Sequence, residues 1–349
     1  MKRLMDHTPE ELLELIKSLG QPAFRSKQVN EWLMRGMRPG EMSNLPKALR
    51  EELAKIPFGG AVIHAKYASA LDGTVKYLFA LEDGNLVEGV LMRYHHGNTL
   101  CLSTQVGCRM NCAFCASTLE GRVRDLTAGE MLSQVTAIER DEPKTQSGRA
   151  VTNIVLMGSG EPLDNYDNVV AFLNRAVSPE GLGISARNIS LSTCGLVPNM
   201  KRLVKDAPPV TLCVSLHAHS DEQRSAIMPI NRAYPISGVL SAAREYAEET
   251  GRRVIFEYAL IDGVNASKED AMALATRLRG INCHVNLIPL NPVPERDLKG
   301  ATRKQAAQFA DWLSERHVSA TVRREMGTDI EGACGQLRRR VLSDNGKGV

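Results

Sequence analysis

The pattern of hydrophobic and polar positions changes twice along the chain. Up to about residue 58, apolar residues recur at helical spacing in three stretches, 8–20, 25–35 and 45–56. From residue 61 to residue 94 the pattern is that of short strands, separated by turns at Asp72-Gly73 and Asp83-Gly84-Asn85. Beyond residue 98, strand-sized apolar runs alternate with helix-sized amphipathic ones. The sequence therefore predicts a helical module, an antiparallel meander and a βα region.

The βα region predicts the fold class. Helices such as 127–140 separate seven expected strands, which lie near residues 100–103, 153–157, 188–192, 210–216, 253–260, 284–288 and 319–323. This order favours a parallel sheet with helices outside, an α/β fold of the partial (βα)6 barrel type. Such a barrel carries its reactive groups at the carboxyl ends of its strands. The expected units are 1–58 (helical module), 59–97 (meander), 98–325 (barrel) and 326–349 (C-terminal segment).

Composition narrows the class of protein. The chain has 349 residues, of which 43% are hydrophobic and 24% charged, as expected for a protein with a sizeable core. Its longest apolar runs are strand-sized and no export signal precedes the first helix, so we expect a cytoplasmic protein without a membrane partner. The net charge of +3 permits a polyanionic partner without requiring one. An aromatic content of 5% argues against a single-strand binder built on stacking.

Three of the eight cysteines lie close together, directly after the first barrel strand. Cys108, Cys112 and Cys115 form a C-x3-C-x2-C pattern, and three thiolates on one loop can hold three corners of an iron–sulfur cube. The fourth iron would then be open to a substrate. Structural zinc is the less favoured alternative, because it needs a fourth ligand and the nearest candidates, Cys101, His95 and His96, lie on strand-like segments.

Further motifs end the predicted strands, and one lies at each terminus. They are Gly158-Ser159-Gly160-Glu161-Pro162, Ser192-Thr193-Cys194-Gly195, Ser215-Leu216-His217, Asn286 to Pro292, Asp329 to Leu337, and Phe24-Arg25-x-x-Gln28-Val29-x-x-Trp32. With the cysteine pattern, whose last two cysteines flank a phenylalanine, they resemble the radical S-adenosylmethionine (SAM) superfamily. Within it, their order over nearly the whole chain resembles the RlmN family of RNA adenine C2-methyltransferases. Ser159, Glu331 and Gly332 depart from the commonest family pattern, which slightly weakens the inference of substrate.

The resemblance implies cofactors and residue roles. It implies a radical SAM barrel with a [4Fe-4S] cluster on Cys108, Cys112 and Cys115, and two SAM molecules per turnover. Cys334 matches the family's methyl-carrying cysteine and Cys101 its second reactive cysteine, which would resolve an RNA adduct through a transient disulfide with Cys334. Glu88 matches the proton acceptor. The implied SAM contacts are Gly160, Glu161, Ser192, Ser215, Leu216, His217 and Asn291.

Without the resemblance, simpler interpretations would hold for several of these residues. Cys101 on an apolar strand is most often a small core residue, as we also expect for Cys194, Cys213 and Cys283. Glu88 alone would be a solvated strand carboxylate. His217 alone would be a core histidine with its hydrogen bonds satisfied.

The resemblance also implies partners. These are 23S ribosomal RNA, by extension transfer RNA, and an electron donor such as flavodoxin or ferredoxin; we expect a monomer. One alternative is methylation at adenine C8, as in the Cfr resistance enzymes, and another class is a non-catalytic iron–sulfur redox sensor. The helical module is a candidate RNA clamp. Short basic groups could contact phosphates, although such groups are usually solvated: Arg122 and Arg124, Lys201-Arg202, Arg252-Arg253, Arg323-Arg324 and Arg338 to Arg340.

Overall fold

The computed structural model describes residues 2–290 and 295–330. Its first part is helical, as the sequence predicts. Thr8 caps the first helix by accepting from the Glu11 N–H, and the Glu11 side chain accepts from the Thr8 N–H in return. The helices of this module are α1 (Pro9–Ser18), α2 (Phe24–Leu33) and α3 (Lys47–Ala54).

An antiparallel meander follows the helices and joins the main sheet at one edge. Its three strands pair in sequence, and the third pairs antiparallel with the first strand of the βα region. The meander strands are β1 (Val62–Ala68), β2 (Val75–Ala80) and β3 (Leu86–Tyr94).

The remaining strands and helices alternate. The strands are β4 (Gly97–Leu102), β5 (Gln105–Gly107), β6 (Arg122–Asp125), β7 (Asn153–Leu156), β8 (Ile189–Thr193), β9 (Thr211–Ser215), β10 (Val254–Leu260), β11 (Cys283–Pro289) and β12 (Ala320–Val322). The helices are α4 (Ala128–Asp141), α5 (Tyr166–Val177), α6 (Val197–Asp206), α7 (Asp221–Ile227), α8 (Ile236–Thr250), α9 (Lys268–Leu278) and α10 (Arg303–Ser314).

One ten-stranded sheet carries the fold, in the order β1-β2-β3-β4-β7-β8-β9-β10-β11-β12. Every pairing from β4 to β12 is parallel, which confirms the predicted partial barrel of the radical SAM type. Apolar side chains of the sheet and the helices form one large core, which also includes the helical module. The carboxyl ends of the parallel strands therefore meet at one edge of the sheet.

The sequence did not predict the two-stranded sheet of β5 and β6. These strands have three and four residues, too few to show a period of their own, and they flank the cysteine loop. Among the described residues, no helix is both long and apolar enough to cross a membrane.

Candidate active site

The three clustered cysteines lie on an irregular loop between β5 and β6. Backbone hydrogen bonds fix this loop at several points: the Cys108 N–H donates to the Gly121 carbonyl at 3.0 Å and the Ala113 N–H to the Ile227 carbonyl at 2.8 Å. Cys108 and Cys112 are buried and Cys115 is partly exposed. Burial raises the pKa of Cys108 to about 12 and also raises that of Cys112. Burial therefore favours the protonated form of these two thiols until a metal displaces the protons.

The geometry of this triad suits a multi-iron cluster. All three cysteines line one cavity of about 230 Å³. Within residues 2–290 and 295–330, however, no three His, Cys, Asp or Glu side chains lie close enough to share one ion. In a [4Fe-4S] cube each thiolate binds a different iron, so the ligand sulfurs need not converge on one point. Three thiols around one cavity thus suit the cluster.

The turn after β7 brings Glu161 to the same cavity. Gly158 and Gly160 in this turn make close contacts within the protein. A Cβ on Gly158 would lie 2.6 Å from the Leu102 carbonyl oxygen, and one on Gly160, at φ +108°, would lie 2.6 Å from the Gln105 Cβ. Only glycine therefore lets this turn pack on the end of β4.

Donors from two chain segments hold the Glu161 carboxylate. It accepts from the backbone N–H of Cys194 at 2.7 Å and from that of Leu163 at 3.0 Å. Burial nevertheless raises its pKa above the ordinary value. A cationic ligand group such as an amine would offset this cost of burial and donate to the carboxylate at the cavity wall.

A second buried carboxylate, Glu257 on β10, lies across the cavity. Its Oε2 accepts from the hydroxyls of Ser192 at 2.7 Å and Ser215 at 3.3 Å. Three neighbouring strands, β8, β9 and β10, thus contribute one connected set of polar groups to the cavity wall. Hydroxyls and a carboxylate in this arrangement can bind the hydroxyls of a sugar.

His217 follows β9 and is neutral. Its backbone φ is +58°, in the left-handed region that residues other than glycine rarely adopt. Its Nδ1 accepts from the Ala259 N–H at 2.8 Å, so the neutral ring carries its hydrogen on Nε2. Burial, helped by the charge of Arg224, lowers its pKa to about 3. His217 lines the cavity and its ring packs edge-on against Phe114 of the cysteine loop.

The cavity brings together most of the residues that the resemblance implies. Leu216 is wholly buried instead, and its backbone N–H donates to the Glu257 carbonyl. Asn291 and Cys334 lie outside the described residues. The predicted residues in the cavity wall are Cys108, Cys112, Cys115, Gly160, Glu161, Ser192, Ser215 and His217.

Glu88 and Cys101 lie beside the cavity, on one face of the sheet. Val90 is opposite both Lys76 on β2 and Cys101 on β4, and Glu88 is two residues from Val90, so all four side chains share this face. Glu88 is buried and forms an ion pair with the wholly buried Lys76 at 3.0 Å. It is therefore not the solvated carboxylate that its strand position alone would predict.

This face connects to the cavity and to the end of the described chain. Met157 lines the cavity and packs in the apolar cluster that contains Cys101, and Met326 packs in that cluster too. The next residues are tied to the turn between β1 and β2. The Gly327 N–H donates to Asp72 at 2.8 Å, and Asp329 accepts from the Ser69 hydroxyl at 2.7 Å.

Sequence reasoning missed several residues that organise the site. Cys194 is buried in the core, as expected, and it also lies in the cavity wall. Ser103 accepts from the Ser159 N–H and donates to the Glu88 carbonyl, which links the glycine turn to the meander. Gln105 accepts from the Glu161 N–H. In the sequence, one signal could have indicated such a residue: Glu257 is a lone charge within the apolar run of β10.

The basic groups considered for RNA contact differ in whether carboxylates already pair with them. Arg122 and Arg124 are engaged by carboxylates, Arg122 by Asp125 and Arg124 by Asp83 and Glu130. By contrast, Arg323 is exposed and lines the cavity, so it can meet a polyanion at the entrance to the site.

Comparisons with known proteins agree with this site. Residues 102–275 match the model of the radical SAM superfamily, and residues 2–58 match the ribosomal RNA large subunit methyltransferase N-terminal domain. A protein of Clostridium perfringens strain 13 named "Probable dual-specificity RNA methyltransferase RlmN" is 50% identical over 349 residues, 99% of each chain. A protein of the same name from Lachnoclostridium phytofermentans is 51% identical, over 95% of this chain and 93% of its own.

A solved structure extends the likeness to three dimensions. The crystal structure of a radical SAM methyltransferase from Sphaerobacter thermophilus matches with a TM-score of 0.91 and 44% identity, over 96% of this chain and 99% of that one. Membership of the radical SAM superfamily implies a [4Fe-4S] cluster and SAM, for which the cavity supplies suitable residues. The chain belongs to the RlmN family of radical SAM RNA methyltransferases.

Proposed function

We propose that this enzyme methylates C2 of an adenosine in 23S ribosomal RNA, and of an adenosine in transfer RNA, through a methyl group carried on Cys334. The observation that carries the proposal is the proximity of two sets of groups. The cysteine triad and Glu161 line one cavity, and the sheet face bearing Cys101 and Glu88 adjoins that cavity through Met157. The curated relatives are named as dual-specificity RNA methyltransferases, which supports the two RNA substrates.

The cavity residues bind and orient the cofactors. The cluster and two SAM molecules, when bound, supply the methyl group and the radical that activates it. Cys108, Cys112 and Cys115 hold the cluster, and Glu161 accepts from the amino group of SAM. Ser192, Ser215 and the Nε2–H of His217 orient the rest of SAM, together with the backbone at Gly160 and Leu216, and Asn291 completes this set.

Three residues then act on the RNA adduct. Adenine C2 is electrophilic, so a carrier group on the protein must bring the methyl carbon to it, and a cysteine thiolate is nucleophilic enough to accept that methyl from a sulfonium. Glu88 removes the proton from the substituted ring carbon. The Cys101 thiolate then attacks the sulfur of Cys334, and a sulfur–sulfur bond forms as the carbon–sulfur bond to the RNA breaks. The electron pair of the broken bond stays on the departing carbon, which takes up a proton to become the methyl group, and a transient disulfide remains.

The described chain supports a position for Cys334 near these groups. Met326 packs in the cluster of Cys101, and Gly327 and Asp329 are tied to the β1–β2 turn. Four peptide units separate Ile330 from Cys334 in the sequence, about 14 Å of chain at full extension. The anchor thus lies within a short chain length of the proposed methyl carrier.

Trapping the adduct tests this scheme. Cys101→Ala keeps the carrier but removes the resolving thiol, so full-length protein given SAM, RNA and a one-electron reductant should accumulate covalently bound RNA. The Cys101→Ala/Cys334→Ala double variant should accumulate none, and Cys213→Ala, a substitution of a core thiol on β9, should behave as wild type. A gel band that ribonuclease shifts measures the adduct. Equal bands in the single and double variants would refute Cys334 as the attachment point.

Mass spectrometry of digested RNA distinguishes the products. We expect 2-methyladenosine in 23S ribosomal RNA and transfer RNA from cells that contain the protein, and its loss from cells without it. An 8-methyladenosine product would instead favour the Cfr-type reaction, and an unchanged nucleoside pattern would favour the redox sensor. We propose reduction by a flavodoxin or ferredoxin, a cytoplasmic location and a monomeric state.

A further inference from the structure

Arg224, in the middle of α7, is the largest side chain that is wholly buried in the described structure. Arginine is rarely buried completely unless a carboxylate or another anion faces it. Here it lies behind the cavity wall, because its guanidinium donates to the carbonyls of Cys194 at 2.6 Å and of Ser215 at 3.0 Å. Both of these residues line the cavity.

Within the described residues, this guanidinium donates all its hydrogen bonds to neutral acceptors. Besides the two carbonyls already named, these acceptors are Leu216 O, Asn231 Oδ1 and Tyr234 O, at 3.0 to 3.3 Å. Within residues 2–290 and 295–330, no carboxylate lies within ion-pair distance of Arg224. Asp221 is near enough to influence its charge, but the Asp221 carboxylate accepts from the Ile236 N–H. The donors are satisfied, whereas no direct partner among the described residues neutralises the charge.

The charge of Arg224 faces the cysteine side of the cavity. Burial lowers the pKa of Arg224, whereas a negative charge at Cys112, as in a metal-bound thiolate, would act in the opposite direction. The same helix is joined to the cysteine loop, since the Ala113 N–H donates to the carbonyl of Ile227 at its last residue. A fixed positive charge is therefore coupled mechanically and electrostatically to the loop that would hold the cluster.

We propose that Arg224 is the buried counter-charge of the iron–sulfur cluster, a positioning residue that favours the cluster's reduced state. Three thiolates bring negative charge to the cavity, and one electron from a low-potential donor makes the site one unit more negative. A positive charge held in a low-dielectric wall stabilises that state more than the oxidised one. This inference rests on the assignment of the cluster to Cys108, Cys112 and Cys115.

The reduction potential of the cluster tests the inference. Full-length protein is reconstituted anaerobically and titrated without SAM, and the reduced cluster is followed by electron paramagnetic resonance. Arg224→Met should lower the reduced-to-oxidised ratio at a fixed potential at least tenfold, a shift of about 59 mV for one electron. Arg224→Lys, which keeps the charge but not the hydrogen bonds, should retain most of the wild-type potential.

Arg175 provides the matched control. It is a buried arginine on α5 that donates to the Met5 carbonyl at 2.5 Å, at the contact with the helical module. Arg175→Met should leave the potential unchanged. A wild-type potential in Arg224→Met, or an equal shift in Arg224→Lys and Arg224→Met, would overturn the counter-charge. Absence of a cluster from wild-type protein would instead refute the cluster assignment.

If Arg224→Met does not bind a cluster, a second variant and a second measurement keep the inference testable. Arg224→Gln keeps amide donors without the charge, and its potential should fall as in Arg224→Met. Cluster loading should also raise the melting temperature more in wild type and Arg224→Lys than in Arg224→Gln, because only the charged side chains gain a partner. Equal increases, or a wild-type potential in the glutamine variant, would overturn the inference.

Discussion

The two ends of the barrel strands each carry a cavity, and the larger cavity is at the end without the site. At the amino ends, the loops before β11 and β12 enclose about 510 Å³, lined by residues that include Cys283, Arg316 and His317. At the carboxyl ends the cavity is about 230 Å³. Both contain cysteine, histidine and arginine, so neither size nor residue type identifies the active site.

The environment of the side chains at the two strand ends makes the difference, as one histidine at each end shows. His284, near the start of β11, is partly exposed and bonds the hydroxyls of Ser319 and Thr321. His217, at the carboxyl end, is buried with an unusual backbone conformation and accepts from a backbone N–H. Groups that are buried, oriented by the backbone and shifted in pKa are those suited to chemistry. Matched substitutions at the two ends can test this contrast.

The largest contrast is expected between two cysteines. Cys112→Ala should abolish the iron and sulfide content of anaerobically reconstituted protein, because it removes one of three ligands. Cys283→Ala should keep a full cluster and lose about 1 kcal/mol of stability. Metal analysis with the visible absorbance of the cluster measures both. A full cluster in Cys112→Ala would show that Cys112 is not a ligand and that the two strand ends do not differ in this way.

The histidines should differ in the pH dependence of stability. The pKa of His217 is about 3 in the folded chain and near 6.5 unfolded, so its stabilisation is present above pH 6.5 and is lost as the pH falls toward 3. Between pH 7 and pH 4, the apo-protein should lose about 3 kcal/mol more than His217→Asn. Asparagine tolerates the same backbone conformation and can accept from Ala259.

His284→Asn is the control at the opposite end. Its pKa is also lowered by burial, but it is partly exposed, so its substitution should change the pH slope less. Urea denaturation at several pH values gives the free energies. Identical slopes in the two variants would contradict a special environment for His217.

The smallest difference between the two strand ends is expected when a glycine at each end is replaced by alanine. Gly158→Ala places a Cβ against the Leu102 carbonyl and should cost about 1–3 kcal/mol. Gly280→Ala, at φ +76° in the loop before β11, should cost about 1 kcal/mol from backbone strain. Only Gly158→Ala should also weaken SAM binding, about tenfold for a loss of 1.4 kcal/mol. Equal SAM affinities by calorimetry would show that the packing of this turn does not orient Glu161.

Much of the fold could be predicted because its signals are local. Helical and strand periods give the order of the elements, and the C-x3-C-x2-C spacing puts Cys108, Cys112 and Cys115 on one loop. The strand-end motifs then follow from the rule that parallel strands present their carboxyl ends together. Neighbouring residues in the sequence carry all of this information.

The remaining features depend on which strands pair and in what register. Lys76 lies in a six-residue strand, and nothing near it in the sequence indicates that Glu88 neutralises it. Glu257 contacts Ser192 and Ser215 only because β8, β9 and β10 are adjacent. Arg224 lies on a short polar helix, Asp221–Ile227, and the polar sequence of this helix favours exposure to solvent. The roles of such residues emerge from tertiary contacts.

The wall of the cavity has a consequence for biogenesis. Its lining runs from Cys108 to Arg323, and the cysteine loop is hydrogen-bonded to Ile227, which is made more than a hundred residues later. During synthesis from the amino terminus, the three thiols therefore emerge long before the strands that enclose them. The pocket is complete only after nearly the whole chain has left the ribosome, so we expect the cluster to be inserted after translation.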